Sequence, residues 1–317
     1  MNEDEGMITF GPVPSRRLGK SLGINNIPPK ICTYACIYCQ LGRTLKMQID
    51  RKPYYSTETI VSGVKERLKE LKKRGERVDY LTFVPDGEPT LDLNLKNHIL
   101  ALKSFGIKIA VITNSSLIAD EDVKEALKPA DWVSFKVDAV TEDIWRKIDR
   151  SHGKVKLEEI LRGIKDFSKD FNGTLVTETM LVNGINNKIE ELEDVSGFIA
   201  NIKADMAYIS VPTRPPAENW VKPPSEYDIY VAFDIFKNKG FNVELLIGYE
   251  GNAFAFTGDV EEDLLSITSV HPMREDAVEE YLKKAKSGWD KVEKLLEDGR
   301  LIRVNYNNTN FYLRKLS

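Results

Sequence analysis

Cys32-Thr33-Tyr34-Ala35-Cys36-Ile37-Tyr38-Cys39 decides the fold, and these eight residues hold all three cysteines of the 317-residue chain. Three is an odd number for disulfides, and the separations are too short for relaxed pairing. Three thiolates on one tight loop read instead as a metal site. Fe–S clusters are held by cysteine thiolates, and a four-iron cluster with three protein ligands leaves one iron open. An open coordination position is where a metal does chemistry; a closed one holds structure. Two plainer readings stand beside this one. A structural zinc site of three cysteines and a histidine would have to recruit His98, His152 or His271, all distant in sequence. Buried core thiols are a common fate of cysteine, but chance rarely gathers three into one octet.

A second motif lies some fifty residues on. Tyr80-Leu81-Thr82-Phe83-Val84 reads as a buried strand that runs into Pro85-Asp86-Gly87-Glu88-Pro89-Thr90. A strand end of this kind offers backbone carbonyls and a carboxylate to an ammonium group. Gly-Glu-Pro by itself is only a turn. The two motifs together resemble the signature of the radical S-adenosylmethionine superfamily: Cys-x-x-x-Cys-x-x-Cys with Tyr38 before the last cysteine, and a Gly-Gly-Glu-Pro loop in which Asp86 replaces the first glycine. The resemblance implies a [4Fe–4S] cluster on Cys32, Cys36 and Cys39, with S-adenosylmethionine chelating the fourth iron through its amino and carboxylate groups. It further implies one-electron cleavage of the sulfonium to a 5′-deoxyadenosyl radical that abstracts hydrogen from a substrate. By the same resemblance Tyr38 lies near the adenine, and Gly87, Glu88 and Pro89 bind the methionyl amino group.

Composition bounds the answer. With 42% hydrophobic and 30% charged residues the chain reads as a soluble globular protein, and no run is apolar enough to span a bilayer. The acidic start Met1-Asn2-Glu3-Asp4-Glu5 is neither a secretory signal nor a transit peptide. Free thiols and an oxygen-labile cluster imply a reducing cytoplasm. A net charge of −4 leaves no global basic footprint for nucleic acid.

The middle of the chain alternates strands and helices. Strands are expected at 21–27, 78–84, 107–112, 132–138, 174–182, 205–211 and 242–247. Helices are expected at 57–74, 94–105, 120–128, 188–201 and 226–239, with a helical stretch at 142–169 broken near Ser151-His152-Gly153. Such alternation predicts parallel β/α units with right-handed crossovers. Ligands in such folds sit at the carboxyl ends of strands. That rule gathers on one rim the cysteine loop, Gly87-Glu88-Pro89, Thr113-Asn114-Ser115-Ser116, Lys136 with Asp138, Asn183-Gly184-Ile185-Asn186 and Val211-Pro212-Thr213-Arg214. The fold class expected is α/β, similar to the partial (βα)6 barrel of the radical SAM family. The resemblance places Asn114 and Ser115 at the carboxylate or ribose of S-adenosylmethionine, Asp138 and Lys136 likewise, and Asn183 with Ile185 at the adenine. For these the plain alternative is ordinary loop polarity.

Gly11-Pro12-Val13-Pro14-Ser15-Arg16-Arg17-Leu18-Gly19 reads as a stiff, shaped loop. Its adjacent arginines are either a surface pair or a bidentate anion site. Together with Cys-Gln-Leu-Gly-Arg-Thr at 39–44 and Val211-Pro212-Thr213-Arg214-Pro215-Pro216, it resembles the iron–sulfur oxidoreductases near the wyosine-type tRNA-modifying synthases. On that resemblance Arg214 and Trp220 are candidate substrate contacts. This chain departs from those synthases in having no cysteine left for a second cluster, which also argues against methylthiotransferases and against methyl transfer through a protein thiol.

Beyond about 262 the pattern changes. Helices at 275–286 and 288–298 precede Arg300-Leu301-Ile302-Arg303-Val304 and Phe311-Tyr312-Leu313, which flank Asn305 to Asn310 as a hairpin. The expected organisation is a barrel with N-terminal extension over 1–248, a linker over 249–261 and a small winged-helix-like domain over 262–317. Residues 261–317 carry eleven acidic and ten basic side chains, a poor balance for sliding along phosphates. The leading expectation is an enzyme acting on tRNA or a polypeptide, supplied with electrons by a low-potential ferredoxin or flavodoxin and independent of membranes. The alternative is a metal-binding winged-helix regulator without catalysis.

Overall fold

The structure, a computed structural model, describes residues 7–248, 254, 256 and 258–315. β1 (Thr9–Ser15) and β2 (Gly19–Ile24) form an antiparallel pair. Short strands β3 (Ile31–Cys32) and β4 (Lys46–Met47) bracket the cysteine loop. Alternation then begins: α1 (Thr57–Lys73), β5 (Tyr80–Phe83), α2 (Leu95–Leu102), β6 (Lys108–Thr113), α3 (Glu121–Leu127), β7 (Trp132–Lys136). It continues through α4 (Glu142–Asp149), α5 (Leu157–Asp170), β8 (Thr174–Met180), α6 (Ile189–Ala200), β9 (Met206–Ser210), α7 (Glu226–Asn238) and β10 (Val243–Leu246). The eight-stranded sheet has the order β1-β2-β5-β6-β7-β8-β9-β10. Every pairing from β2 to β10 is parallel. This is a mixed α/β fold whose twisted sheet curls into a half-barrel.

The seven parallel strands, β2 and β5 to β10, fall at the seven runs expected, β10 at 242–247 included. One expectation is corrected. The proline-rich run 11–19, read as a loop, is mostly strand β1. Proline is tolerated there because β1 is an edge strand, and Gly11, at φ +85°, lies in the bulge between Phe10 and Val13.

Period-two alternation divides the strand side chains. Leu22, Leu81, Phe83, Ile109, Val133 and Leu175 face outward and join the helices in the main core. From α1, whose N-terminus is capped by the Ser56 hydroxyl, Ile60, Val64 and Leu71 are buried in that core; each contributes roughly 1.5–3 kcal/mol. The inward face is apolar at the base, where Leu18, Trp132, Val176, Tyr208 and Leu246 cluster. Higher up it is polar: the buried Ser21 hydroxyl meets Thr82 at 2.7 Å. The β1–β2 turn closes this base, since the Arg16 guanidinium donates to the carbonyls of Leu245 and Gly248, both at 3.2 Å.

The tail comprises α8 (Val260–Thr268), β11 (Met273–Arg274), α9 (Glu275–Ala285), α10 (Asp290–Glu297), β12 (Leu301–Tyr306) and β13 (Thr309–Arg314), with sheet order β11-β13-β12. It has its own core, including Leu264, Met273, Tyr281, Leu295 and Tyr312, against which Val13 of β1 packs. The tail thereby covers an edge that would otherwise invite pairing. Arg67 of α1 pins the junction, donating to Gly11 O at 2.8 Å and pairing with buried Asp263 at 3.1 Å. The hairpin is tighter than expected: its strands run to 306 and from 309, leaving Asn307 and Asn308 at φ +47° and +58°. Asparagine tolerates that left-handed region, and two such residues form the turn that fits strand twist. Most of the expected linker, at 249–253, 255 and 257, and the acidic start at 1–5 lie outside the described residues. Among the described residues no helix is long and apolar enough to cross a membrane.

Candidate active site

The cysteine loop is laced to its neighbours mainly by backbone hydrogen bonds. Lys30, at φ +63°, donates its N–H to Asp86 O at 2.7 Å, and its ammonium pairs with the Asp86 carboxylate at 3.1 Å. Glu88 N–H donates to Ile31 O at 3.1 Å. Farther along, Ala35 and Ile37 donate to Asp149 O and Ile148 O at the end of α4, and His152 N–H donates to Thr33 O at 2.9 Å. The loop is therefore held by the ends of β5 and α4, with both of the sequence motifs in direct contact.

Gly87 is required by that contact. Its φ is +154°, and a Cβ there would stand 2.0 Å from Ile31 O. Next to it, the buried Glu88 carboxylate is fully engaged by protein donors: Thr90 N–H at 3.0 Å, the hydroxyls of Thr90 and Thr113 at 2.6 Å each, and Asn114 N–H at 2.8 Å. Burial raises its pKa, and these donors pull it back. Glu88 thus ties β5 to β6, and Pro89 opens the short turn it caps. Asn114 reaches the cysteine loop, its amide donating to Thr33 Oγ1 at 2.8 Å and lying 3.5 Å from Cys32 Sγ. Ser115, at φ +67°, is buried; its hydroxyl donates to Lys136 O at 3.4 Å.

A buried polar chain descends from the rim into the barrel. The Tyr38 hydroxyl donates to Asp138 and lies 3.4 Å from Asp149 Oδ1, which also faces Cys36 Sγ at 3.3 Å. The Lys136 ammonium sits 5.0 Å from the Tyr38 ring centre and 2.9 Å from Glu178 Oε1. Arg17 enters from below to pair with Glu178. Burial pushes the Glu178 carboxyl up, but Lys136 and Arg17 overcome it and hold its pKa well below the usual carboxylate range. Burial opposes charge on Lys136 as well, but Asp138 and Glu178 raise its pKa. Burial and then Asp138 raise the pKa of Asp149 well above its ordinary value.

The loop after β8 divides the remaining candidates. Ile185 packs with Ile37, Tyr38, Ile148 and Val182 beneath the cysteine loop. Asn183 is exposed, with its N–H donating to Lys222 O at 3.0 Å. The structural asparagine of this turn is Asn186, buried, with its amide donating to Asp138 O and Met180 O at 2.8 Å each. Arg17 is neither a surface charge nor an anion site, because Glu178 holds it inside the barrel. Arg214 bridges Gln40 and His271, at 2.9 Å to each, and Trp220 is exposed. Thr33, Asp149 and Asn186 carry geometry that sequence reading did not single out. Only the run 183–186, with its asparagines around a glycine, hinted at one of them.

The thiols themselves indicate what they can do. Burial and then the Glu88 carboxylate push Cys32 up to about 12; burial and Asp149 push Cys36 well above its ordinary value, and burial raises Cys39. A nucleophilic or redox cysteine needs the opposite shift; a bound metal would supply the positive charge that turns such thiols into thiolates. Among the described residues no group of three or more His, Cys, Asp or Glu side chains could hold a single metal ion. A cubane spreads three thiolates over three different irons and does not need them to converge on one centre. The donor set fits a three-cysteine [4Fe–4S] cluster.

A half-barrel with a three-cysteine loop and a Gly-Glu-Pro turn meeting on its carboxyl rim defines a class of enzymes. A family model described as the radical SAM superfamily matches residues 26–197, and the chain belongs to that family. Its members bind a [4Fe–4S] cluster and S-adenosylmethionine and need a reductant. Among curated proteins, a UPF0026 protein of Methanocaldococcus jannaschii is 46% identical over 98% of this chain and 96% of its own length. A UPF0026 protein of Helicobacter pylori strain J99 is 36% identical over 66% of this chain and 67% of its own. In fold, a crystal structure of a radical SAM methyltransferase from Sphaerobacter thermophilus aligns with TM-score 0.52 and 12% identity over 72% of this chain and 66% of that one.

Proposed function

We propose that this enzyme generates a 5′-deoxyadenosyl radical at the rim of its barrel and uses it to abstract hydrogen from a macromolecule, tRNA or polypeptide. Cys32, Cys36 and Cys39 hold the cluster, and with S-adenosylmethionine bound that cluster supplies the electron that breaks the sulfonium. The observation that carries the reading is the lacing of the cysteine loop to Gly87-Glu88-Pro89 through Glu88 N–H and Ile31 O. This places a carboxyl-end turn against the metal loop.

In this reading Gly87, Glu88 and Pro89 shape the turn that receives the methionyl ammonium, Glu88 by holding the turn rigid. Asn114 and Ser115 border the carboxylate or ribose. Asp138, positioned by Tyr38, meets the ribose, while Tyr38, Ile185 and the backbone near Asn183 flank the adenine. The buried chain from Asp138 to Arg17 keeps water and loose charge out of the barrel. Residues 1–248 form the barrel unit, 249–261 the linker, and 262–317 a winged-helix-like unit that presents the substrate. Its helix–strand–helix–helix–strand–strand order supports that description. A ferredoxin or flavodoxin supplies the electron, in the cytoplasm. Kinship with the wyosine-type synthases is part of the same proposal.

The test is anaerobic reconstitution followed by iron and sulfide analysis and chromatography after reduction with dithionite. About four irons per chain and release of 5′-deoxyadenosine from S-adenosylmethionine support the reading. Full cluster occupancy without that product would overturn it. One zinc per chain would favour a metal-stabilised regulator.

A further inference from the structure

The short strand β4 covers the cysteine loop on its outer side. Ile31 opposes Lys46 and Cys32 opposes Met47, while on its other side Ile31 bridges Gly87. β3 is thus a middle layer, with the Gly-Glu-Pro turn behind it and β4 in front. Gln48 N–H donates to Cys32 O at 3.1 Å and Lys46 N–H to Lys30 O at 3.0 Å, which fixes β4 there. Both residues of β4 are exposed. The backbone of the first thiol therefore lies one strand spacing, about 4.8 Å, from a strand that meets solvent. Elsewhere the loop is backed by protein: Cys36 Sγ faces Asp149, and Gln40, next to Cys39, is held by Val270 O of the tail and by Arg214.

What β4 and its flanks show to solvent is apolar at the centre and basic around it. Leu45 is 73% exposed and Met47 39%. Residues 43–53 carry four basic side chains (Arg43, Lys46, Arg51 and Lys52) and one acidic, Asp50. Arg43 pairs with Glu218, which Arg150 shares, and Arg51 pairs with Asp120. With those partners included, five cations face three carboxylates, on a chain of net charge −4. Lys46 and Lys52 are both exposed, the latter 5.0 Å from the centre of the Tyr54 ring.

We infer that this face docks the protein that reduces the cluster, an acidic carrier that presents the dimethylbenzene edge of a reduced flavin to Leu45 and Met47. The inference rests on the enzyme reading above and names the partner of that same site. Members of the family need a reductant. Electron transfer weakens steeply with distance, so the donor must reach the loop where little protein intervenes. The flavin hydroquinone gives up one electron and one proton and becomes a neutral semiquinone; the electron goes to the cluster and the proton to solvent. An acidic carrier is repelled by the chain as a whole and drawn to this patch, and such steering sets the association rate. Redox encounters bury little surface, below about 1,200 Å², so two apolar side chains ringed by a few cations suffice. The centre favours a flavin, because the thioether of Met47 makes favourable contacts with an aromatic ring edge and an iron–sulfur carrier has no such ring to present. A nucleic-acid strand would need a longer run of cations to neutralise its phosphates.

The test uses the full iron-loaded chain, without air, and three fluorescein-labelled probes: a purified acidic flavodoxin, a purified acidic ferredoxin and a mixed-sequence oligoribonucleotide. Fluorescence anisotropy should show the flavodoxin binding. Lys46→Glu combined with Lys52→Glu should weaken that binding roughly tenfold or more at low salt, and the difference should shrink as salt screens the charges. Leu45→Ser combined with Met47→Ser should weaken it at every salt concentration. Neither pair should alter iron content or the 5′-deoxyadenosine released with dithionite, a small reductant that needs no docking face. Hydrogen exchange on the unsubstituted chain should show flavodoxin-dependent protection at 43–53, and that footprint decides should a variant fail to fold. Flavodoxin binding equal in parent and variants, protection elsewhere than 43–53, tighter binding of ferredoxin at this face, or oligoribonucleotide binding that depends on Lys46 would each overturn the inference. Release of 5′-deoxyadenosine with dithionite reports on the enzyme reading alone, so either idea can fail while the other stands.

Discussion

Replacing Gly87 by alanine probes the contact on which the site is built. A Cβ at 87 would lie 2.0 Å from Ile31 O and 2.9 Å from Ile27 Cδ1, where real contacts essentially never fall below 3.0 Å. The Ile31 carbonyl must therefore retreat by about 1 Å, an overpacking cost of roughly 1–3 kcal/mol. The φ of +154° adds strain of about 1–2 kcal/mol for a residue with a side chain. The expected destabilisation is thus about 2–5 kcal/mol. The displaced carbonyl is bonded to the peptide of Cys32, so the shift also moves the first thiol off its place beside the Asn114 amide. Urea denaturation of the metal-free chain measures the first effect, and iron content after anaerobic reconstitution measures the second. A Gly87→Ala chain that unfolds within about 0.5 kcal/mol of the parent and loads the same iron would refute this account of the two loops.

Three further outcomes follow from the same geometry. Glu88→Gln should cost about 2–3 kcal/mol in urea unfolding, because an amide N–H must face one of four donors aimed at the carboxylate; an unchanged midpoint would mean those bonds add nothing. Glu178→Gln should destabilise the protein near neutrality by about 3–5 kcal/mol, since Lys136 and Arg17 lose their shared counter-charge. The depressed pKa of Glu178 stabilises the fold above the ordinary carboxylate value of 4.5 and loses that effect as pH falls toward its folded value; the gap between parent and variant should therefore narrow on acidification, as urea midpoints across pH will show. Arg67→Met should loosen the tail by about 3 kcal/mol, because Asp263 is buried and paired with Arg67, and limited proteolysis should then cut first between barrel and tail.

Both halves of the site were legible because each is local. A cysteine octet and a strand-ending Gly-Glu-Pro turn announce themselves within a few residues, and the strand alternation then places them on one rim. What escaped reading depends on chain crossings that no local pattern records. Asp149 lies over a hundred residues from Cys36 and reaches it only because α4 ends beneath the cysteine loop. Asn186, not Asn183, supports Asp138, a choice made by which side chain the turn buries. Adjacent arginines look like surface charge until Glu178, far along the chain, draws Arg17 inward. The proline-rich run became a strand because the edge of a sheet makes no demand on the N–H that proline lacks.

The sealed base of the barrel fixes the traffic through it. Arg16 is fastened to β10, and Leu18, Trp132 and Tyr208 fill the bottom, so that end of the half-barrel is closed; the residues just after Cys39 and the C-terminal hairpin line one groove. With that end shut, S-adenosylmethionine has to be met from the carboxyl end of the strands, the side on which the cysteine loop lies.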